Sequence, residues 1–266
     1  MVSALLCFVT LRVLGLVVGW LVLTLAGLGP ERSAAAFGDI DKVSFAQIKY
    51  EGNWNPRPTA TRRLAWEIEK RTSILTVSEP VSVRLSDEHA MERQPLLYLA
   101  GDGPMPAPSD GEVARLRRHL QGGGLLFIDS SEARLDGPFD TAVRDLVARL
   151  FPRQPLAAIP STHVLYKTFY LLARPVGRTV QAAQLEGVVH DGRLVVVYSQ
   201  NDLAGAWARD AFGQWEHQVI PGGERQRELA IRLGVNLTMY ALCLDYKDDQ
   251  VHVPFILRRR QWRFSP

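Results

Sequence analysis

Acidic and amide side chains follow several apolar runs of this sequence, at positions where parallel β-sheets place their ligand sites. Four such residues are Asp102, Asp129, Asn201 and Asp202, and Gly101 directly precedes the first of them. A carboxylate at the end of a strand could bind a cation or orient a hydroxyl group. The same residue types also form Asx turns and cap the segment that follows, so both interpretations stay open.

His163 is the histidine whose surroundings best suit chemistry, because it lies in an irregular stretch, residues 160–166. It could act as a general base or as a ligand, or it could bond a backbone group. Together with Asp129 and Asp202 it gives a hydrolase hypothesis in which three side chains surround one cleft. This hypothesis requires the three side chains to lie within about 10 Å, within reach of a hydrogen bond or one water.

Several catalytic and cofactor motifs are absent from the sequence. No G-x-S-x-G surrounds Ser130, and Cys243 lies inside a predicted helix, where a core role is expected. The histidines lack zinc-site spacing, and neither a G-x-G-x-x-G nor a P-loop motif is present. We therefore predict no metal and no cofactor.

A second group of candidates is suited to ligand binding rather than catalysis. The candidate ligand-binding residues are Trp54, Asn55, Arg57, Gly101, Asp102, Asn201 and Trp207. Trp54 and Trp207 could form a platform that stacks on a sugar, although aromatic residues more often belong to the core. A carbohydrate-binding module is thus a further alternative.

Apolar runs and amphipathic segments alternate along the chain, which predicts an α/β fold. We predict strands at residues 43–48, 81–85, 95–100, 125–129, 187–189 and 194–198, and helices at 59–71, 109–121, 140–151 and 224–244. Ser109 and Glu112 form a capping box, and glycines 122–124 stop that helix before the next strand. A right-handed crossover makes the flanking strands parallel. We expect a single three-layer domain with a mainly parallel sheet over residues 37–246.

The N-terminus is typical of an export segment. Residues 13–30 carry no charge, Arg12 precedes them, and Ala34 and Ala36 fit a small-x-small cleavage site. Residues 1–36 are therefore predicted to be a cleaved signal peptide or a signal anchor, which would attach the chain to the membrane if uncleaved. In both cases the domain is predicted to lie outside the cytoplasm, either periplasmic or held at the inner membrane.

The net charge and the C-terminal tail indicate which kinds of partner to expect. The chain has 31 basic and 28 acidic residues, a net charge of +3, which gives no support for a nucleic-acid partner. Residues 247–266 form a basic tail that could contact anionic lipid or a partner, or remain solvated. An envelope protein is the partner class that we expect.

Several segments, in this order, resemble the domain of unknown function 4159 family. They are residues 50–58 (Y-x-G-x-W with prolines), 95–101, 116–129 (L-R-x-x-L-x-x-G-G and an Asp-ended strand), 151–170 with His163, 192–207 (G-R to Y-S-x-N-D and a tryptophan) and 234–241. The resemblance covers residues 43–245. It implies a flavodoxin-like or class I amidotransferase-like fold in a bacterial envelope protein, often the soluble part of a membrane-attached chain, with no assigned activity.

The chain departs from the family's pattern at one strand end. Many members carry two acidic residues there, whereas this chain has Asp129 and Ser130. This departure weakens a two-carboxylate metal site, and the amidotransferase cysteine is also absent. The first hypothesis is therefore a non-catalytic, exported domain that binds a ligand or a partner, and the hydrolase using Asp129, His163 and Asp202 is the alternative.

Overall fold

A seven-stranded β-sheet forms the centre of the computed structural model, which describes residues 42–243. The strands are β1 (Ala46–Ile48), β2 (Val81–Val83), β3 (Leu96–Gly101), β4 (Leu125–Ser130), β5 (Ala157–Ala158), β6 (Glu186–His190) and β7 (Arg193–Ser199). Their order is β2-β1-β3-β4-β7-β6-β5. The first five strands in this order are parallel, and β6 and β5 add antiparallel at one edge.

Helices cover both faces of the sheet. They are α1 (Ala60–Arg71), α2 (Glu88–Glu92), α3 (Asp110–Gln121), α4 (Pro138–Leu150), α5 (Leu203–Trp207) and α6 (Gly223–Cys243), with a 3₁₀ helix at Val164–Lys167. Side chains of α1 and α6 pack with Tyr98 on one face, whereas side chains of α3 and α4 pack with Leu97 and Leu99 on the other. The predicted three-layer α/β architecture with a mainly parallel sheet is confirmed.

Local sequence signals explain why these elements form where they do. Strands β3 and β4 are continuous apolar runs because both of their faces are buried. The predicted capping box is present, since the Ser109 hydroxyl accepts from the backbone N–H of Glu112 and the Glu112 carboxylate accepts from the backbone N–H of Ser109. The β6–β7 hairpin turns at Asp191 and Gly192, both at positive φ (49° and 75°), as an Asp-Gly turn requires.

Some boundaries differ from the predictions. The first strand begins at Ala46 rather than Val43, and Val43 forms an isolated bridge with Thr76. Helix α4 begins at Pro138, two residues early, because proline is well suited to the first turn of a helix. The short elements α2, β5 and the 3₁₀ helix were not predicted, since none is long enough to show a hydrophobic period.

The predicted export segment (residues 1–36) and the predicted basic tail (residues 247–266) lie outside the described residues. Within residues 42–243, no helix combines the length and the apolar character that crossing a bilayer would need.

Candidate functional site

The carboxyl ends of β1, β3, β4 and β7 meet at one edge of the sheet, because these strands are parallel neighbours. The chain leaves β1 toward α1 on one face and leaves β3 toward α3 on the other. Such a reversal opens a crevice at the carboxyl edge, where ligands of α/β proteins bind. The sequence candidates from the strand ends all lie at this edge.

Asp129, at the end of β4, is fully buried and is bonded to the start of α5. Its Oδ1 accepts the backbone N–H of Leu203 at 2.9 Å, and its Oδ2 accepts that of Ala204 at 2.9 Å. Burial raises the pKa of the Asp129 carboxyl group to about 7, and the charge of Asp202 contributes to the rise. The carboxylate therefore joins β4 to α5 and has no surface facing solvent.

Asp202 is also fully buried, and three groups hold its carboxylate. Its backbone is left-handed (φ 53°), and Oδ1 accepts the backbone N–H of Gly205 at 3.0 Å, which confirms that it caps α5. Arg57 donates to both oxygens, at 3.1 Å from Nε and 2.8 Å from Nη2, while the Nε of Arg178 donates to Oδ2. A buried carboxylate needs such pairing, since an unpaired one would be strongly destabilising.

The outer side of this network consists of Arg57, Arg178 and His217. We call these three residues the arginine rim. The side chains of Arg57 and Arg178 are 17% and 21% exposed. Nη1 of Arg57 and both Nη groups of Arg178 donate to none of the described residues. Burial lowers the pKa of His217, and the positive charges of Arg57 and Arg178 lower it further. The rim thus combines positive potential with unused N–H donors.

Asn201 is fully buried and its side chain is used within the fold. Its Oδ1 accepts the backbone N–H groups of Gln181 and Ala182 at 2.8 and 2.9 Å, and its Nδ2 donates to the carbonyl of Ala182. These bonds hold the segment after Arg178 against β7. Asn201 therefore supports the rim and offers no exposed group to a ligand.

His163 does not join the carboxylates. Its Nδ1 accepts the backbone N–H of Leu165, and its ring lies 5.8 Å from that of Tyr240 near the end of α6. The Tyr240 hydroxyl accepts from the backbone N–H of Leu194, at the opposite end of β7 from Asp202. Leu194 and the end of β7 are about 16 Å apart along the strand. The expectation of one cleft shared by all three residues is corrected: His163 is a helix cap at the other edge.

The loop after β1 is bonded back to β1 and to the segment that follows β3. The side-chain amide of Gln47 donates to the carbonyl of Trp54 and to Oδ1 of Asn55, at 3.0 and 3.1 Å. Trp54 is half-buried, with Nζ of Lys49 5.5 Å from its ring centroid. The exposed carboxylate of Asp102 accepts from Asn53 at 2.8 Å. Of these candidates, Asp102 is the one that keeps an accessible charge.

Gly101 and Trp207 are placed for packing rather than for binding. A Cβ at Gly101 would come within 2.5 Å of the Tyr50 hydroxyl oxygen, so the close approach of this loop requires glycine. The indole of Trp207 is fully buried, and its Nε1 donates to the carbonyl of Ala230 at 3.0 Å. A buried ring cannot stack on a sugar, so the platform of Trp54 and Trp207 is corrected.

Residues 44–242 match the family described as Domain of unknown function (DUF4159). The chain belongs to this family. The match confirms the resemblance seen in the sequence, and the description carries no activity. A comparison with curated proteins gives no match.

In this DUF4159 domain the sequence did not reveal Arg178 as part of the edge. Arg178 lies in an irregular stretch, and its partner Asp202 follows 24 residues later, so no local spacing connects them. The nearest signal is Gly177, because a Cβ there would clash with the carbonyl of Asn201. A glycine next to an arginine is too common a pair to predict a site.

The DUF4159 edge can bind an anion more readily than it can transfer a proton. Both candidate carboxylates are covered, whereas two guanidinium groups reach the surface. Within residues 42–243 no three side chains of the types His, Cys, Asp and Glu are grouped closely enough to hold a metal ion.

Proposed function

We propose that this DUF4159 domain is a non-catalytic binding domain of an exported bacterial envelope protein, and that the arginine rim recognises an acidic group. The observation that carries the proposal is the division of the edge: Asp129 and Asp202 are buried and bonded, while Arg57 and Arg178 keep free donors at the surface. A group on a small molecule or on an envelope protein fits equally, provided that it is a carboxylate or a phosphate.

The electrostatics of the edge support an anionic ligand. The two guanidinium groups share one carboxylate, that of Asp202, and the pKa of the neighbouring Asp129, raised to about 7 by burial, keeps part of that carboxyl group neutral at neutral pH. A guanidinium presents planar N–H donors that match carboxylate and phosphate oxygens. Positive charge therefore remains at the surface, where a ligand can reach it.

Calorimetric titration of the full-length protein with inorganic phosphate and with acetate tests the rim. We expect saturable binding of at least one of these anions, and Arg178→Gln should weaken it by about tenfold or more through loss of a charge-assisted contact. Arg62→Gln is the matched control, because Arg62 is an exposed arginine that pairs with Glu79 away from the rim. Equal affinities for both variants, or no binding by wild type, would contradict the proposal.

The non-catalytic part is tested with chromogenic ester, amide, phosphate and glycoside substrates. Turnover that is lost in Asp129→Asn and kept in Asp102→Asn would show that the buried carboxylate is catalytic.

Export is tested by a C-terminal alkaline phosphatase fusion, which is active only outside the cytoplasm. An inactive but stable fusion would contradict export.

One observation favours the hydrolase alternative. The pKa of Asp129, raised to about 7 by burial and by Asp202, lies where a general base works best. On β3, the buried Tyr98 hydroxyl has no hydrogen-bond partner among the described residues, and burial together with the charge of Asp129 raises its pKa well above the usual range. In such an enzyme the start of α5, whose N–H groups hold both oxygens of Asp129, would have to move before substrate could reach that carboxylate.

A further inference from the structure

A phenylalanine projects from the loop between Arg209 and Trp215. The Phe212 side chain is 89% exposed, the highest value among the exposed large apolar residues of the described part of the chain. Oδ1 of Asp210 accepts the backbone N–H groups of Phe212 and Gln214 at 2.9 and 2.8 Å. Arg209 and Trp215 pair across the base of the loop. The phenyl ring is therefore presented by a loop that is already fixed.

Stacked cations and indoles adjoin this loop. The guanidinium of Arg209 lies 3.8 Å from the ring centroid of Trp215, and that of Arg63 lies 5.6 Å from Trp215 and 4.0 Å from Trp66. Nζ of Lys70 lies 4.6 Å from Trp66 on the same helix. We call the surface formed by these residues and Phe212 the Phe212 face; its members are Arg63, Trp66, Lys70, Arg209, Phe212 and Trp215.

Basic groups outnumber acidic ones at the Phe212 face, although the exposed carboxylate of Asp210 lies in its loop. Lys70 and Arg209 form no ion pair within residues 42–243. The carboxylate of Glu67 is shared by Arg63 and Arg71. Burial lowers the pKa of Arg63, and the nearby charge of Arg209 lowers it further although Glu67 opposes both. An anionic surface would complement these cations.

We propose that the Phe212 face docks on an anionic lipid bilayer, with the phenyl ring in the interface and the basic side chains among the headgroups. Phenylalanine is among the residues that interfacial segments bury at the boundary between headgroups and acyl chains. Arginine and lysine lay their aliphatic stems along apolar surface while the charge stays in the polar region. A single projecting ring on a face that also carries basic side chains fits a deformable interface better than it fits a flat protein surface.

Hydroxyl-radical footprinting of the full-length protein tests this docking at single residues. Vesicles of phosphatidylcholine with phosphatidylglycerol should slow the oxidation of Phe212 by roughly tenfold, because the ring leaves water. Oxidation of Trp66 should also slow. Leu135 is an internal control, since it is 45% exposed and precedes α4, which packs on the face of the sheet opposite to α1. Its oxidation should not change.

Charge variants and lipid composition separate this docking from other events. Arg209→Gln and Lys70→Gln should each reduce the protection of Phe212, and added salt should do the same. Unchanged oxidation of Phe212 on anionic vesicles overturns the proposal and leaves this face to a protein partner. Equal protection on pure phosphatidylcholine, or equal protection of Leu135, also overturns it. Anion binding at the arginine rim is measured without lipid, so the two proposals fail independently.

Discussion

Replacement of Asp129 by asparagine should change how the stability of the domain depends on pH. Asp129 is buried, and its pKa is raised from 3.8 to about 7 by burial and by the charge of Asp202. The folded state therefore holds this proton more tightly than the unfolded state does. The stabilising contribution of the protonated group is complete below pH 3.8 and is lost as the pH rises to about 7.

The magnitude follows from the size of the rise. One pKa unit corresponds to about 1.4 kcal/mol, so the rise from 3.8 to about 7 corresponds to about 4 kcal/mol. Asparagine does not titrate, and it offers one accepting oxygen to the two N–H groups of Leu203 and Ala204, which costs about 2 kcal/mol. Near pH 4 the variant should be about 2 kcal/mol less stable than wild type, and near pH 8 it should be about 2 kcal/mol more stable.

Urea unfolding of the full-length protein at several pH values, followed by tryptophan fluorescence, measures this difference. Asp102→Asn is the matched control, because Asp102 is an exposed carboxylate at the end of the neighbouring strand. This control should stay within about 0.5 kcal/mol of wild type at every pH. A difference between Asp129→Asn and wild type that is constant within about 1 kcal/mol from pH 4 to pH 8 would refute the raised pKa.

Two further predictions concern packing. Gly101→Ala should lower the free energy of unfolding by more than about 2 kcal/mol, because its Cβ would collide with neighbouring aromatic side chains. Gly103→Ala has open space around it and should change the free energy of unfolding by less than about 0.5 kcal/mol. Thermal unfolding compares the two variants, and similar losses of stability would contradict the packing around Gly101. Trp207→Ala should lower the free energy of unfolding by about 3–5 kcal/mol and Phe212→Ala by less than about 0.5 kcal/mol, because the Trp207 ring is buried and the Phe212 ring is exposed. Urea unfolding midpoints measure both effects, and a large loss of stability in Phe212→Ala would place that ring in the core.

The sequence predicts those parts of the fold that depend on local patterns. Strands β3 and β4 are continuous apolar runs, and α3 carries both a capping box and a glycine stop, so the βαβ unit could be located closely. The Asp-Gly turn likewise follows from two residues that accept positive φ. In each case neighbouring residues contain the whole physical reason, and no distant contact is needed.

The candidate site was predicted less well, because its chemistry depends on contacts between distant residues. Asp129 and Asp202 meet at α5 as their strand ends suggested, but the buried carboxylate of Asp202 is paired by Arg57, from a loop 145 residues before it. The irregular stretch around His163 is as typical of a helix cap as of a general base, and the cap is what the structure contains. Trp207 shows the same limit, since aromatic residues in core and platform look alike in sequence.

Residues 209–217 connect the two proposed surfaces, which determines how variants should be chosen. Phe212 lies at the tip of this segment, and His217 lies at the arginine rim. Arg227 holds the segment from α6: it stacks on Trp215 at 4.2 Å and donates to the carbonyl of His217 at 2.8 Å. A change at Arg227 would therefore disturb both surfaces at once, and a loss of both bindings there would not identify either site. Arg178→Gln and Phe212→Ala each alter one surface and leave this connection intact, so they are the variants that can separate anion recognition from membrane docking.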